Sequence, residues 1–178
     1  MEATVRYTRR SDIEQARPPE LIEAVSQLRD VVFSRDSSVP YSLKREIFTI
    51  SSIAAGCTHC QAHGSYSLHR EGLDDARIHA LWDFARSPLF EESERAAFRF
   101  ARDASLAPNA TTAEHHAALR EHYSDAEIAE LLSVISLAGW LNRWNDSLAT
   151  VTDEESASWA EEHLSAVGWE RGRHASDA

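Results

Sequence analysis

An all-α, multi-helix bundle is the fold class this sequence predicts, and three observations carry that expectation. Gly and Pro are scarce, 6 and 5 among 178 residues, which suits helices better than a turn-rich β fold. Apolar residues recur at three- and four-residue spacing in one segment after another. No convincing stretch alternates with a period of two. The length suits one domain that can bury a core without disulfide staples. Residues 1–17 are polar and mixed and read as an extended N-terminal arm, 18–166 as the helical domain, and 167–178 as a C-terminal tail.

Pro18-Pro19-Glu20 opens the first helix, since Pro is tolerated in a first turn, and Leu21, Val25, Leu28 and Val32 fall on one face. Ser34 to Pro40 reads as a loop. The second helix runs from about Tyr41 to Ala55, with Leu43, Ile47, Ile50 and Ile53 along one side. Gly56 suits the left-handed residue that ends it. A third starts near Cys57 and stops before Gly72; Asp74 then caps a fourth carrying Ile78, Leu81, Trp82 and Ala85, which Pro88 ends. The fifth spans about Glu91 to Ser105, with Ala97, Phe100, Ala101 and Ala104 as its stripe. After the Pro108-Asn109 turn comes a short helix from Thr112 to His122. Ser124 and Glu127 form a capping box that begins the longest helix, to about Ala149, with Ile128, Leu131, Leu132 and Ile135 marking its buried face. A last helix covers Glu154 to Ala166, and Asp153-Glu154-Glu155 places negative charge at its start.

Eighteen Lys and Arg stand against 29 Asp and Glu, a formal net charge of −11. Such a chain repels phosphate backbones, which argues against nucleic acid and against an anionic membrane surface as partners. No run of about 18 apolar residues marks a transmembrane helix. The N-terminus lacks the apolar core of a signal peptide, so the expected location is the cytoplasm.

The chain has only 2 cysteines, Cys57 and Cys60, too close in sequence to staple anything. At the start of a helix, both thiols meet unpaired N–H groups and the positive end of the dipole, which favour thiolate. Three apart, they share a face and can close a disulfide once one is oxidised. His63 lies one turn beyond Cys60 and could take a thiol proton, and His59 sits inside the motif where it could tune the thiolates. Glu46, on the preceding helix, could orient His63. Two other readings remain open: a zinc site using Cys57, Cys60, His63 and a fourth ligand such as His69, or cysteines that merely pack. Trp140, Asn142, Arg143, Trp144, Asn145 and Asp146 crowd one helix end and read first as aromatic core with polar residues bonding helix ends, and otherwise as a pocket wall or subunit contact. His115-His116 reads as a solvated pair, and His69, His79 and His122 as surface or core residues.

The stretch Leu43-Lys44-Arg45-Glu46 … Gly56-Cys57-Thr58-His59-Cys60-Gln61-Ala62-His63 resembles the AhpD-like alkylhydroperoxidase branch of the carboxymuconolactone decarboxylase family. So do Glu94-Arg95-Ala96-Ala97, the segment Gly139 to Asp146, and the tail Gly168-Trp169-Glu170-Arg171-Gly172-Arg173-His174. The resemblance implies an all-helical fold that forms homo-oligomers and reduces hydroperoxides without heme, flavin or metal, drawing on an external thiol or dithiol reductant. It implies Cys60 as the attacking cysteine, Cys57 as the resolving one, His63 as the relay histidine and Glu46 as the upstream glutamate. In the family's pattern the histidine follows the second cysteine by four residues and the glutamate precedes the first by twelve. Here the spacings are three and eleven, and Arg45 stands at the glutamate's place. The decarboxylase branch works without a dithiol, so a retained pair argues against lactone decarboxylation. A redox-sensing or zinc-held interaction module, or a cysteine-independent lyase or isomerase, are the rival functions.

Overall fold

The computed structural model describes residues 10–176. Their helices are α1 (Arg10–Gln15), α2 (Pro19–Val32), α3 (Tyr41–Ala55), α4 (Thr58–Arg70), α5 (Asp75–Ala80), α6 (Glu92–Ala104), α7 (Ala113–Arg120), α8 (Asp125–Leu148) and α9 (Glu154–Leu164), and no strand occurs among them. The all-α bundle is thus the observed class. No helix among the described residues is long and apolar enough to cross a membrane. Of the predicted N-terminal arm, residues 1–9 lie outside the described residues. Residues 10–15 are helical rather than extended, and Glu14 is tied to the body by a hydrogen bond from Thr150 Oγ1 at 3.0 Å.

Helix α3 is the centre of the bundle, packed against α4, α6 and α8. Its Leu43, Ile47 and Ile50 are buried, as their spacing predicts, and Ile53 is half-buried. The expected start signals are also present. Asp74 accepts from the Ala76 N–H at 2.7 Å, and Ser124 and Glu127 close a capping box at the start of α8. A second capping box, Glu91 with Glu94, begins α6. Helix α5 is shorter than predicted and continues as a 3₁₀ turn, Leu81–Asp83, before the chain leaves for Pro88.

Two predicted apolar faces differ from what packs. On α8, Leu131 and Ile135 are buried but Leu132 is 44% exposed; Val134, Leu137 and Ala138 complete the inner face. On α2 only Val32 is buried, and Leu28 is 51% exposed. An outer helix of this kind has more apolar surface than one neighbour can cover.

The contact between α3 and α4 is close because α4 carries Gly64 at the crossing. A Cβ there would lie 2.5 Å from Thr49 Oγ1 and 3.3 Å from a Phe48 ring carbon. Thr49 is fully buried and its hydroxyl is bonded to the Arg45 carbonyl at 3.0 Å, so it has nowhere to turn. In an exposed helix Gly→Ala gains about 1 kcal/mol. Overpacking costs about 1–3 kcal/mol and exceeds it here. Gly64→Ala is therefore expected to destabilise the fold, by up to about 2 kcal/mol in urea unfolding; a stabilised variant would mean the helices can part at no cost.

Candidate active site

Helix α3 ends at Gly56, whose φ of 76° and ψ of 12° are left-handed, a conformation an L side chain rarely adopts. The chain turns there, and Cys57 (φ −81°, ψ 96°) becomes the N-cap of α4, its Sγ accepting from the Cys60 N–H at 3.4 Å. The thiol holds a place that Ser or Asp usually takes. Cys57 is thus one residue outside the helix rather than in its first turn, with its sulfur facing the unpaired N–H groups. Both cysteines are free and buried, Cys57 at 0% and Cys60 at 2% exposure.

The two sulfurs divide one proton unequally. The Cys60 thiol hydrogen-bonds to Cys57 and, against the cost of burial, holds its pKa down to about 6, with help from His174 and the Cys60 N–H. The same hydrogen bond, with burial and the neighbouring negative charge, pushes Cys60 up, opposed by Asn145. Asn145 Nδ2 lies 3.4 Å from Cys60 Sγ. The surroundings thus favour the thiolate on Cys57 and the thiol on Cys60.

A residue to which no role was assigned from the sequence completes this arrangement. The tail after α9 returns over the start of α4: Trp169 Nε1 donates to the Thr58 carbonyl at 2.9 Å, and Thr58 Oγ1 donates to the Arg171 carbonyl at 3.3 Å. This brings His174, 1% exposed, beside Cys57. Its Nδ1 donates to the Thr150 carbonyl at 2.8 Å. Its Nε2 is buried without a hydrogen bond, 3.5 Å from Asp146 Oδ1. Burial opposes charge on His174, but Cys57, the Thr150 carbonyl and Asp146 outweigh it and raise its pKa. The one sequence signal was a histidine in a tail segment that resembled the family; nothing local tied it to Cys57.

His59 and His63 extend the row, with ring centroids 5.6 Å from His174 to His59 and 4.4 Å from His59 to His63. Burial and the charges on His63 and His174 hold His59 down to about 3, so it stays neutral. Burial also lowers His63, partly offset by Asp153. His63 Nε2 meets Asp153 Oδ2 at 3.1 Å and Nδ1 meets Ser156 Oγ at 3.2 Å, so neither nitrogen bonds a thiol directly. Asp153 also caps α9 through the Ser156 N–H at 3.0 Å. The predicted helix-start charge therefore doubles as the partner of the predicted relay histidine.

Glu46 is not in this group. It is 1% exposed and receives Arg77 on both oxygens, at 2.7 and 3.2 Å, while Arg77 also reaches Glu94 at 2.6 Å. That cluster, buried at Glu46 and half-buried at Arg77 and Glu94, ties α3 to α5 and α6. One residue turns a helix by about 100°, and the residue turned towards the thiols is Arg45. With Arg29, Phe33, Phe48 and Leu141 it lines a cleft of about 290 Å³ that Cys60, His59, His63 and Asn145 share and Cys57 does not.

Of the other residues noted in sequence, Trp140 and Trp144 stack at 5.4 Å and line a second cleft that meets the first at Arg29, Leu141 and Asn145. Asn142 is buried against Ser52 Oγ at 3.0 Å. His69 pairs with Asp75 at 3.0 Å rather than turning to the thiols, and no three His, Cys, Asp or Glu side chains converge as metal donors among the described residues. His115 is half-buried on Asp103 at 2.9 Å instead of solvated.

The sequence model of the carboxymuconolactone decarboxylase family matches residues 19–103. Among solved structures, the debrominase Bmp8 without ligand is 31% identical over 81% of this chain and 77% of its own, with a TM-score of 0.76. A cysteine-to-alanine variant of Bmp8 in complex with 2,3,4-tribromopyrrole gives 30% identity, 81% and 76% coverage and a TM-score of 0.77. An Agrobacterium tumefaciens protein of unknown function, proposed to be the antioxidant defence protein AhpD, shares the fold at 24% identity, 76% and 92% coverage and a TM-score of 0.70. No curated protein matches the sequence.

If His174 holds the Cys57 thiolate, His174→Gln shifts the inflection of Cys57 alkylation by iodoacetamide upward from about 6, by about one pH unit or more. The pH of the inflection is read, not the rate, because loosening the tail also changes access. An unmoved inflection would contradict the pairing.

Proposed function

The chain belongs to the carboxymuconolactone decarboxylase family, and we propose that it acts there as a thiol-dependent peroxidase, an alkyl hydroperoxide reductase working through Cys57 and Cys60. The observation that carries this reading is the division of the dithiol: Cys60 lies on the cleft, while Cys57 lies off it with its sulfur capping the helix.

In this reading the Cys60 proton passes to Cys57 as a hydroperoxide arrives. Cys60 thiolate attacks the distal oxygen; the S–O bond forms, the O–O bond breaks, and the alkoxide leaves as an alcohol after protonation. His63, held by Asp153, and the neutral His59 are the proton carriers on the cleft. Cys57 then gives up its proton and attacks the Cys60 sulfur, the disulfide closes, and the displaced hydroxide leaves with that proton as water. A dithiol reductant then supplies two electrons and two protons: one proton returns to the pair, and the other replaces the solvent proton that the alkoxide took. His174 and Asn145 position the sulfurs. Glu46, held by Arg77, has no part in the relay proposed here. No metal, heme or flavin is invoked.

A second reading comes from the two Bmp8 structures, whose identity exceeds that of the AhpD-type neighbour. The same dithiol could reduce a carbon–bromine bond, forming C–H, bromide and the disulfide, and the aromatic walls Phe33 and Phe48 would suit a flat substrate. Bromide release from brominated pyrroles distinguishes it from peroxide consumption.

Self-association is part of the proposal. Val31 at 73%, Leu28 at 51% and Leu132 at 44% exposure border one apolar cleft of about 860 Å³ between α2 and α8. A second copy of the chain would cover it. Light scattering should show an oligomer that Val31→Asp with Leu132→Asp shifts to monomer; a monomeric parent chain would contradict this.

Peroxide consumption with a dithiol reductant tests the chemistry. Cys60→Ser should fall to the uncatalysed rate. Cys57→Ser should complete one turnover and stop, with a dimedone-trapped sulfenic acid mapped to Cys60. Turnover surviving in Cys60→Ser, or an adduct on Cys57 of the intact protein, would overturn the assignment.

A further inference from the structure

The cleft over Cys60 is positively charged in a protein that carries a net charge of −11. Its lining includes Arg29 and Arg45 and neither Asp nor Glu. Most arginines of the fold are matched to carboxylates: Arg35 to Glu71, Arg77 to Glu46, Arg95 and Arg99 to Glu92, Arg171 to Glu154. Arg29 and Arg45 make no ion pair among the described residues. Arg45 is half-buried, and its Nε is buried without a hydrogen-bond partner. Its guanidinium carbon lies 4.7 Å from the Phe33 ring centroid and 5.7 Å from that of Phe48, whose rings themselves meet edge to face at 5.9 Å.

The acids nearby are engaged elsewhere. Glu71 is bonded to Arg35 at 2.7 Å, and Asp153 is taken up by His63 and the Ser156 N–H. A guanidinium held in place by aromatic rings, with donors unfilled, in a cleft that ends on a reactive sulfur, is short of one anion. A volume of about 290 Å³ lies at the small end of ligand sites.

We propose that this cleft selects small organic substrates carrying a carboxylate on an apolar, planar body, the carboxylate held by Arg45 and Arg29 while the other end reacts at Cys60. The inference rests on Cys60 being the attacking thiol. It accounts for Arg45 at a position where the family's pattern carries a glutamate: the charge at the cleft is reversed.

Two hydroperoxides that differ only in charge provide the test: cumene hydroperoxide and the same molecule bearing a para-carboxylate. With the full chain and a dithiol reductant, kcat/KM for the carboxylate should be higher by about tenfold or more, mostly through KM, and the gap should narrow with added salt. Arg45→Met and Arg29→Met should each shrink the ratio several-fold, and Arg45→Lys should retain part of it. Arg29 is exposed, so its variant folds even if Arg45→Met does not. Equal kcat/KM for the two compounds would overturn the proposal and leave the peroxidase reading standing.

Binding of 4-fluorobenzoate to the reduced protein, followed by ¹⁹F NMR against neutral 4-fluorobenzamide, decides the matter without turnover. Binding of the benzoate alone, lost in Arg29→Met, supports the anion site even if neither hydroperoxide is consumed, in which case the peroxidase reading falls by itself. Benzoate bound no better than the amide would overturn the anion site.

Discussion

Helix α3 must stop in a left-handed residue for α4 to begin with a sulfur at its N-cap, and the rest of the site depends on that turn. Gly56 supplies the stop without strain, and the Cys57 sulfur then faces the unpaired N–H groups of α4. Cys60 then falls one turn later on the same face, its backbone N–H donating to the Cys57 sulfur at 3.4 Å. Burial of both sulfurs would ordinarily raise both pKa values. It raises only Cys60, because the cap, the shared proton and His174 together outweigh burial at Cys57.

Three chain segments far apart in sequence close around that turn. Helix α8 brings Asn145 to Cys60, the start of α9 brings Asp153 to His63, and the tail brings His174 to Cys57. The tail is held by Trp169 on Thr58 and by Arg171 across Glu154 and Glu161. Its anchoring bears on the site as well as on the fold, since releasing it would take His174 away from Cys57.

Much of this was legible in the sequence because it is local. The helix stop at Gly56, the caps at Asp74 and Ser124, the face of α3 and the dithiol all depend on residues within a few positions of one another. What could not be read depends on register and on distance. Whether Glu46 or Arg45 faces the thiols turns on one helical step, and α3 settles it by giving Glu46 to Arg77 and leaving Arg45 to the cleft. His174 and Asp153 meet their partners only through tertiary packing, so neither spacing nor composition pointed to them. The exposure of Leu28 and Leu132 is likewise a matter of how many neighbours a helix finds, which periodicity does not count.

Around neutral pH the reduced pair is expected to hold one thiolate and one thiol, because the same surroundings push the two cysteines in opposite directions. Thiolate absorbance at 240 nm, followed against pH on the wild-type chain with a double-serine variant as the blank, measures it directly. One thiolate per chain should appear with a midpoint of about 6, and the second should stay silent through about pH 9. Two thiolates rising together around pH 8.5, as unperturbed cysteines do, would contradict the account.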